Sequence, residues 1–146
     1  DKEDRAKAVK GLTKSYFEKL LNDDGKELFM IKLCALLDAL FKFDFKLEGE
    51  DFSERMKAYF SKIEGELPQP RTCDDGWGYM VDDRDWFEST VKPAREKFEH
   101  LSNLLHRLRM QRNNISHAEA HDVEELSMAE LKECLEYVFS INKVEE

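Results

Sequence analysis

The chain has 146 residues, of which 41% are hydrophobic and 38% charged, and its net charge is -9. That balance suits one globular domain with its own core and excludes a disordered chain. It also excludes a broad nucleic-acid clamp, because a strongly acidic surface repels polyanions at long range.

Residues 1–22 carry Ala6, Val9, Leu12, Tyr16, Phe17, Leu20 and Leu21 at spacings that trace one helical face. Gly11 lies inside that pattern and weakens its first turns. Asn22-Asp23-Asp24-Gly25 reads as a stop. From Glu27 to Phe43 the residues are apolar nearly all round, the pattern of a helix central to a bundle. Lys32, Asp38 and Lys42 break this run, so no stretch reaches membrane-spanning length.

Asp44 to Glu50 reads as a connection, and Asp51 with Glu54 has capping-box spacing. Met56, Tyr59, Phe60 and Ile63 continue a third helix, which Gly65 closes. Residues 65–82, with Pro68, Pro70, Gly76 and Gly78, read as a surface loop. A sharper reading makes them a mobile flap whose Trp77 and Tyr79 stack on a base. Helical pattern resumes at Asp85, with Pro93 at a helix start or a kink.

Phe98, Leu101, Leu105 and Leu108 form an inward stripe, and its next step lands on Arg112. The pattern gives out at Arg112-Asn113-Asn114-Ile115-Ser116-His117, which therefore reads as a junction. The last helix is well marked: Ser127 and Glu130 make a capping box, and Leu126 and Leu131 a hydrophobic staple. Leu131, Cys134, Leu135, Val138 and Phe139 are its core face. The expected architecture is all-α, an antiparallel bundle of four to five helices in a single domain spanning 1–146. A start at Asp1 without methionine suits a domain excised from a larger protein.

Three separated cysteines, Cys34, Cys73 and Cys134, form no CxxC pair. They suit a reducing, cytoplasmic setting and argue against a zinc module. No secretory signal is visible.

Chemistry concentrates near the junction. Among 32 acidic residues none falls between Glu99 and Glu119, while His100, His106, Arg107, Arg109, Arg112 and His117 do. Such a local basic patch suits a single phosphodiester. Histidine titrates near neutral pH and can move a proton to or from a ribose oxygen. Arginine stays charged, and its planar fork matches phosphate oxygens. Without convergent carboxylates, a two-metal mechanism has no ligands.

The motif RNNISH resembles the R-x4-6-H signature of HEPN domains, which are helical bundles with this motif between their last two main helices. Arg112, Asn113 and His117 match that signature position by position. The resemblance implies a metal-independent endoribonuclease that needs no cofactor. His117 would be general base or acid, Arg112 would hold the scissile phosphate, and Asn113 would orient histidine or substrate. His106, Arg107, Arg109 and Asn114 would contact RNA. The family implies a site formed across a homodimer, use in defence, toxin or RNA-processing systems, and restraint by an antitoxin or neighbouring domain. Some members are non-catalytic dimerisation or interaction modules, and the chain's acidity adds weight to that alternative.

Two other readings stand beside it. Arg112 can pair with a carboxylate of its own bundle, leaving His117 an ordinary loop residue. His117 and His121 form an i, i+4 pair resembling zinc-helix spacing, without the HExxH order or a cysteine partner.

Overall fold

Helix α3 (Lys26–Ala39) buries Phe29, Met30, Leu33, Cys34, Leu36, Leu37 and Ala39, apolar side chains facing several directions around its axis. It packs against α1 (Lys2–Lys10), α2 (Lys14–Asn22) and α7 (Met128–Ile141), so the helix that is apolar all round is the central one. The computed structural model describes residues 2–117 and 123–142, with backbone alone at Lys2, Ser116 and His117. It is mostly helical, with one two-stranded antiparallel sheet among the described residues. The chain divides into two compact units, residues 1–59 with 104–146, and residues 60–103.

In the first unit the expected opening helix is two helices. The Thr13 side chain accepts the backbone N–H of Tyr16 at 3.1 Å and so starts α2, after a turn through Gly11 and Leu12. Helix α3 runs into a π-helical turn, Leu40–Asp44, closed by the Phe45 N–H on the Leu40 carbonyl. Helix α4 (Phe52–Gly65) starts at Asp51, whose carboxylate accepts the Glu54 N–H at 2.9 Å. The Glu54 carboxylate reaches back one residue beyond the cap, to the Glu50 N–H at 2.7 Å.

Arg55 is buried on α4 and holds Asp38 of α3 through both carboxylate oxygens, at 2.6 and 2.9 Å. Its third contact is the Gly49 carbonyl at 2.7 Å. Gly49 has φ +154, and a Cβ there would meet the Arg55 nitrogen and the Glu54 Cβ at 2.9 Å. The connection 45–51 thus passes too close to α4 for any side chain at that position. Phe41 stacks on Tyr59, with ring centroids 4.6 Å apart, and Tyr59 is hydrogen-bonded to Tyr137 of α7.

The second unit contains the chain's missed element. Residues 65–82 are not a plain loop: Thr72–Asp74 (β1) and Met80–Asp82 (β2) pair as an antiparallel hairpin with Cys73 opposite Val81. Helix α5 (Arg84–Trp86), capped by Asp83, leads into a π-helical turn, Phe87–Val91, and then α6 (Lys92–His117). The π turn ends two residues before Pro93, which has no N–H for the usual helical bond. The start-or-kink expectation for Pro93 thus resolves as a π-helical turn followed by uninterrupted helix. Seven α-helical segments appear among the described residues where four to five were expected. The Thr13 cap accounts for one and the short α5 for the other.

Candidate functional site

Helix α6 does not stop at Arg112. It contains no Gly or Pro beyond Pro93, and it runs through Arg112, Asn113, Asn114 and Ile115 to His117. The motif is therefore the last turns of a helix and not an irregular junction. Leu105 and Leu108 are fully buried, and Arg112, one step further, is half-buried, as the stripe required.

The Arg112 guanidinium lies over the Phe52 ring, 5.2 Å from its centroid. Phe52 in turn stacks on Phe41. The Arg112 Nε is buried and has no hydrogen-bond partner. Among the described residues no carboxylate pairs with Arg112. Its charge is felt by Cys34 on α3. Burial pushes that thiol up to about 12, and Arg112 is the largest influence pulling the other way. The result is a cation held against an aromatic ring, with a buried Nε–H that no described group accepts.

The remaining motif residues divide. Asn113 and Asn114 are half-buried on the same helical turns. The His117 side chain and residues 118–122 lie outside the described residues, and with them the His117–His121 pair. The helical backbone still constrains the motif. Positions 112 and 117 are ~140° apart around the helix axis, so one chain alone does not stack them on one face.

Around the motif the expected basic patch is thinner than the sequence suggested. Arg107 is not available to RNA. It is 7% exposed and grips Glu130 of α7 through both carboxylate oxygens, at 2.7 and 3.1 Å. It also donates to the Glu124 carbonyl at 3.1 Å and the Glu125 carbonyl at 3.0 Å. With Gln111, whose side-chain oxygen accepts the Leu126 N–H at 2.9 Å, it fastens the segment leading into α7. The charge that looked like part of an RNA surface instead satisfies the fold, because a buried guanidinium needs a carboxylate and carbonyls around it.

Glu130 has a double duty. It completes the capping box with Ser127, and its carboxylate is held down to about 2, first by the Arg107 hydrogen bonds and then by the Ser127 N–H. His106 is exposed, 3.4 Å from the half-buried Arg109. Desolvation and then the Arg109 charge lower its pKa, which disfavours the charged imidazolium in the patch. His100 is exposed as well.

Sequence reasoning missed Phe52, which it took only as the residue inside a capping box. Its signal was a large aromatic at the first position of α4, a place where helix starts need no apolar side chain for capping. Among the described residues no cluster of three His, Cys, Asp or Glu side chains is placed to hold a metal. No helix among them is long and apolar enough to cross a membrane. All three cysteines are free thiols.

These observations define a mostly helical protein with a half-buried arginine, without an ion pair among the described residues, near the end of its longest helix. Comparison with known protein families, characterised proteins and solved structures finds no match for this chain.

Proposed function

We propose that the end of α6 is a phosphodiester-binding site of HEPN type, and that the chain is a metal-independent endoribonuclease or RNA-binding domain built around it. The single observation that supports this reading is the state of Arg112. A half-buried guanidinium over Phe52, with a buried Nε lacking a partner, is poised for an anion that the described residues do not supply.

In the reaction, Arg112 neutralises the non-bridging phosphate oxygens. His117 takes the proton of a ribose 2'-hydroxyl, whose oxygen attacks the adjacent phosphorus. The bond from phosphorus to the 5'-oxygen breaks and that oxygen takes a proton from the imidazolium of His117 or from water, giving a 2',3'-cyclic phosphate and a 5'-hydroxyl. Asn113 orients the histidine or the substrate, and Arg109, His106 and Asn114 contact flanking nucleotides. The ~140° between positions 112 and 117 on one helix favours a homodimer, in which Arg112 of one copy meets His117 of the other.

The test is cleavage of a labelled single-stranded RNA in EDTA by wild type, Arg112→Ala and His117→Ala, each checked for folding and oligomeric state. Cutting by the wild type that leaves cyclic-phosphate ends, and falls about 100-fold or more in either variant, is the expected result. Equal cutting by all three would sink the assignment.

A second reading has its own support. The net charge of -9 and the internal use of Arg107 leave little free positive surface for RNA. On that reading the chain is a non-catalytic helical dimerisation or interaction module of a larger protein. It predicts neither cutting nor RNA binding by a well-folded wild type.

A further inference from the structure

Four of the six exposed large hydrophobic residues among those described fall within residues 77–81. Trp77 is 84% exposed, Tyr79 71%, Met80 66% and Val81 43%. A tryptophan left so open costs solvation free energy, and exposed apolar side chains gathered in one short segment mark an interaction surface more often than scattered ones do.

The patch is held in place. The Asp75 N–H donates to the Tyr79 carbonyl at 2.9 Å, and the Asp75 carboxylate accepts the N–H groups of Trp77 at 2.7 Å and Tyr79 at 3.2 Å. Gly76 and Gly78 sit on either side of Trp77 with φ +87 and +88, which only glycine adopts without strain. At the base, Arg71 stacks on Trp86 at 4.0 Å and binds Asp83 at 3.0 Å, while the Trp86 Nε1 donates to the Gln69 carbonyl at 2.7 Å. The tip therefore presents Trp77 outward on a fixed hairpin.

Charge selects the partner. Between residues 71 and 85 stand five aspartates and two arginines. One of those arginines, Arg71, is already bound to Asp83. Nucleic acid, an anionic lipid surface and a second copy of the same hairpin would all bring negative charge against this one. A cationic protein segment would not.

The relief fits such a segment. A groove of about 660 Å³ beside β2 is lined by Met80, Val81, Asp82 and Asp85 among others. Asp82 and Asp85 have no ion pair among the described residues. An arginine or lysine can lay its carbon stem on Met80 and Val81 and set its charge between these two carboxylates. The sheet has only two strands, so each strand also keeps an edge open to an extended backbone.

We propose that hairpin β1–β2 is the docking surface for an extended, lysine- or arginine-rich segment of another protein, with Trp77 as its apolar anchor. This proposal uses none of the residues assigned to the Arg112 site, and its test does not depend on that reading.

The experiment selects binders to the whole chain from a displayed random-peptide library. The enriched peptides are then synthesised and titrated against wild type, Trp77→Ala, the double variant Asp82→Asn with Asp85→Asn, and Arg112→Ala. Circular dichroism checks each fold; all of the hairpin side chains changed are exposed, so the variants should fold. The expected result is enrichment of cationic peptides whose affinity weakens with salt and drops about tenfold or more in both hairpin variants. Arg112→Ala should bind as wild type does. Failure to enrich any peptide, enrichment without cationic residues, or affinities unchanged in the hairpin variants would each overturn the proposal. So would Trp77-dependent binding of oligouridine RNA or of phosphatidylcholine–phosphatidylserine vesicles.

Discussion

Arg112 rests its guanidinium on the face of Phe52, 5.2 Å from the ring centroid, and makes no ion pair among the described residues. The two buried arginines of the same unit, Arg55 and Arg107, each hold a carboxylate bidentately. The contrast separates arginines that build the fold from one that does not.

Arg112→Met should therefore leave stability unchanged or raise it by about 1 kcal/mol, since methionine keeps the contact with Phe52 and removes a buried N–H without a partner. Urea unfolding of the two proteins measures this. A loss above about 2 kcal/mol would mean that Arg112 is a structural residue.

Arg107→Met should act the other way. It strands the Glu130 carboxylate and two backbone carbonyls, and should cost about 2–3 kcal/mol, below the figure for a fully buried pair because Glu130 is 27% exposed. A thermal melt at neutral pH reads the loss.

Acid stability should report the same pair. The Glu130 pKa is depressed from the ordinary 4.5 to about 2. A group with a depressed folded pKa contributes stability that is fully present above its unfolded value and is lost as pH falls through the folded one. The contribution of Glu130 should therefore fade between roughly pH 4.5 and pH 2. Glu130→Gln should be less stable than wild type at pH 7, and the gap should close across that window. A gap that is constant with pH would show that the loss comes from packing alone.

Asp38→Asn should destabilise the fold by about 3 kcal/mol, because Arg55 is then buried without its counter-charge. Replacing both, as Arg55→Met with Asp38→Leu, should recover most of it. A double-mutant cycle in urea gives the coupling directly.

The break between α1 and α2 offers a finer test. A Cβ on Gly11 would meet only the Lys7 and Ala8 carbonyls, at 3.5 Å, an ordinary contact. Gly11→Ala should be neutral or stabilising by up to about 1 kcal/mol. Thr13→Ala removes the side-chain cap of α2 and should cost about 1 kcal/mol. Stability of the pair, measured side by side, shows which residue makes the break.

Much of the helical plan was legible because it rests on local signals. The Ser127–Glu130 capping box is present with both of its hydrogen bonds, at 3.1 and 3.0 Å. Leu126 and Leu131, its staple, are buried at 1% and 0% exposure. The inward step from Leu108 to Arg112 also survived, since helical periodicity alone sets it. The hairpin was not legible. Its strands are three residues each, too short for alternation to register, and aspartates and glycines that mark a loop equally mark a tight turn. The fate of Arg107 was hidden for a different reason: its partner Glu130 lies 23 positions away, and no local pattern links them.

By itself the sequence determined most of the helical stretches, where α4 and α7 start and which face of each turns inward, because those follow from spacing and from side chains within a turn of each other. Only the tertiary structure decided what each arginine is for. Arg55 and Arg107 met carboxylates brought in from other helices, while Arg112 met an aromatic ring. A charge's role depends on the groups that surround it in space, and those come from chain segments whose approach no local periodicity encodes.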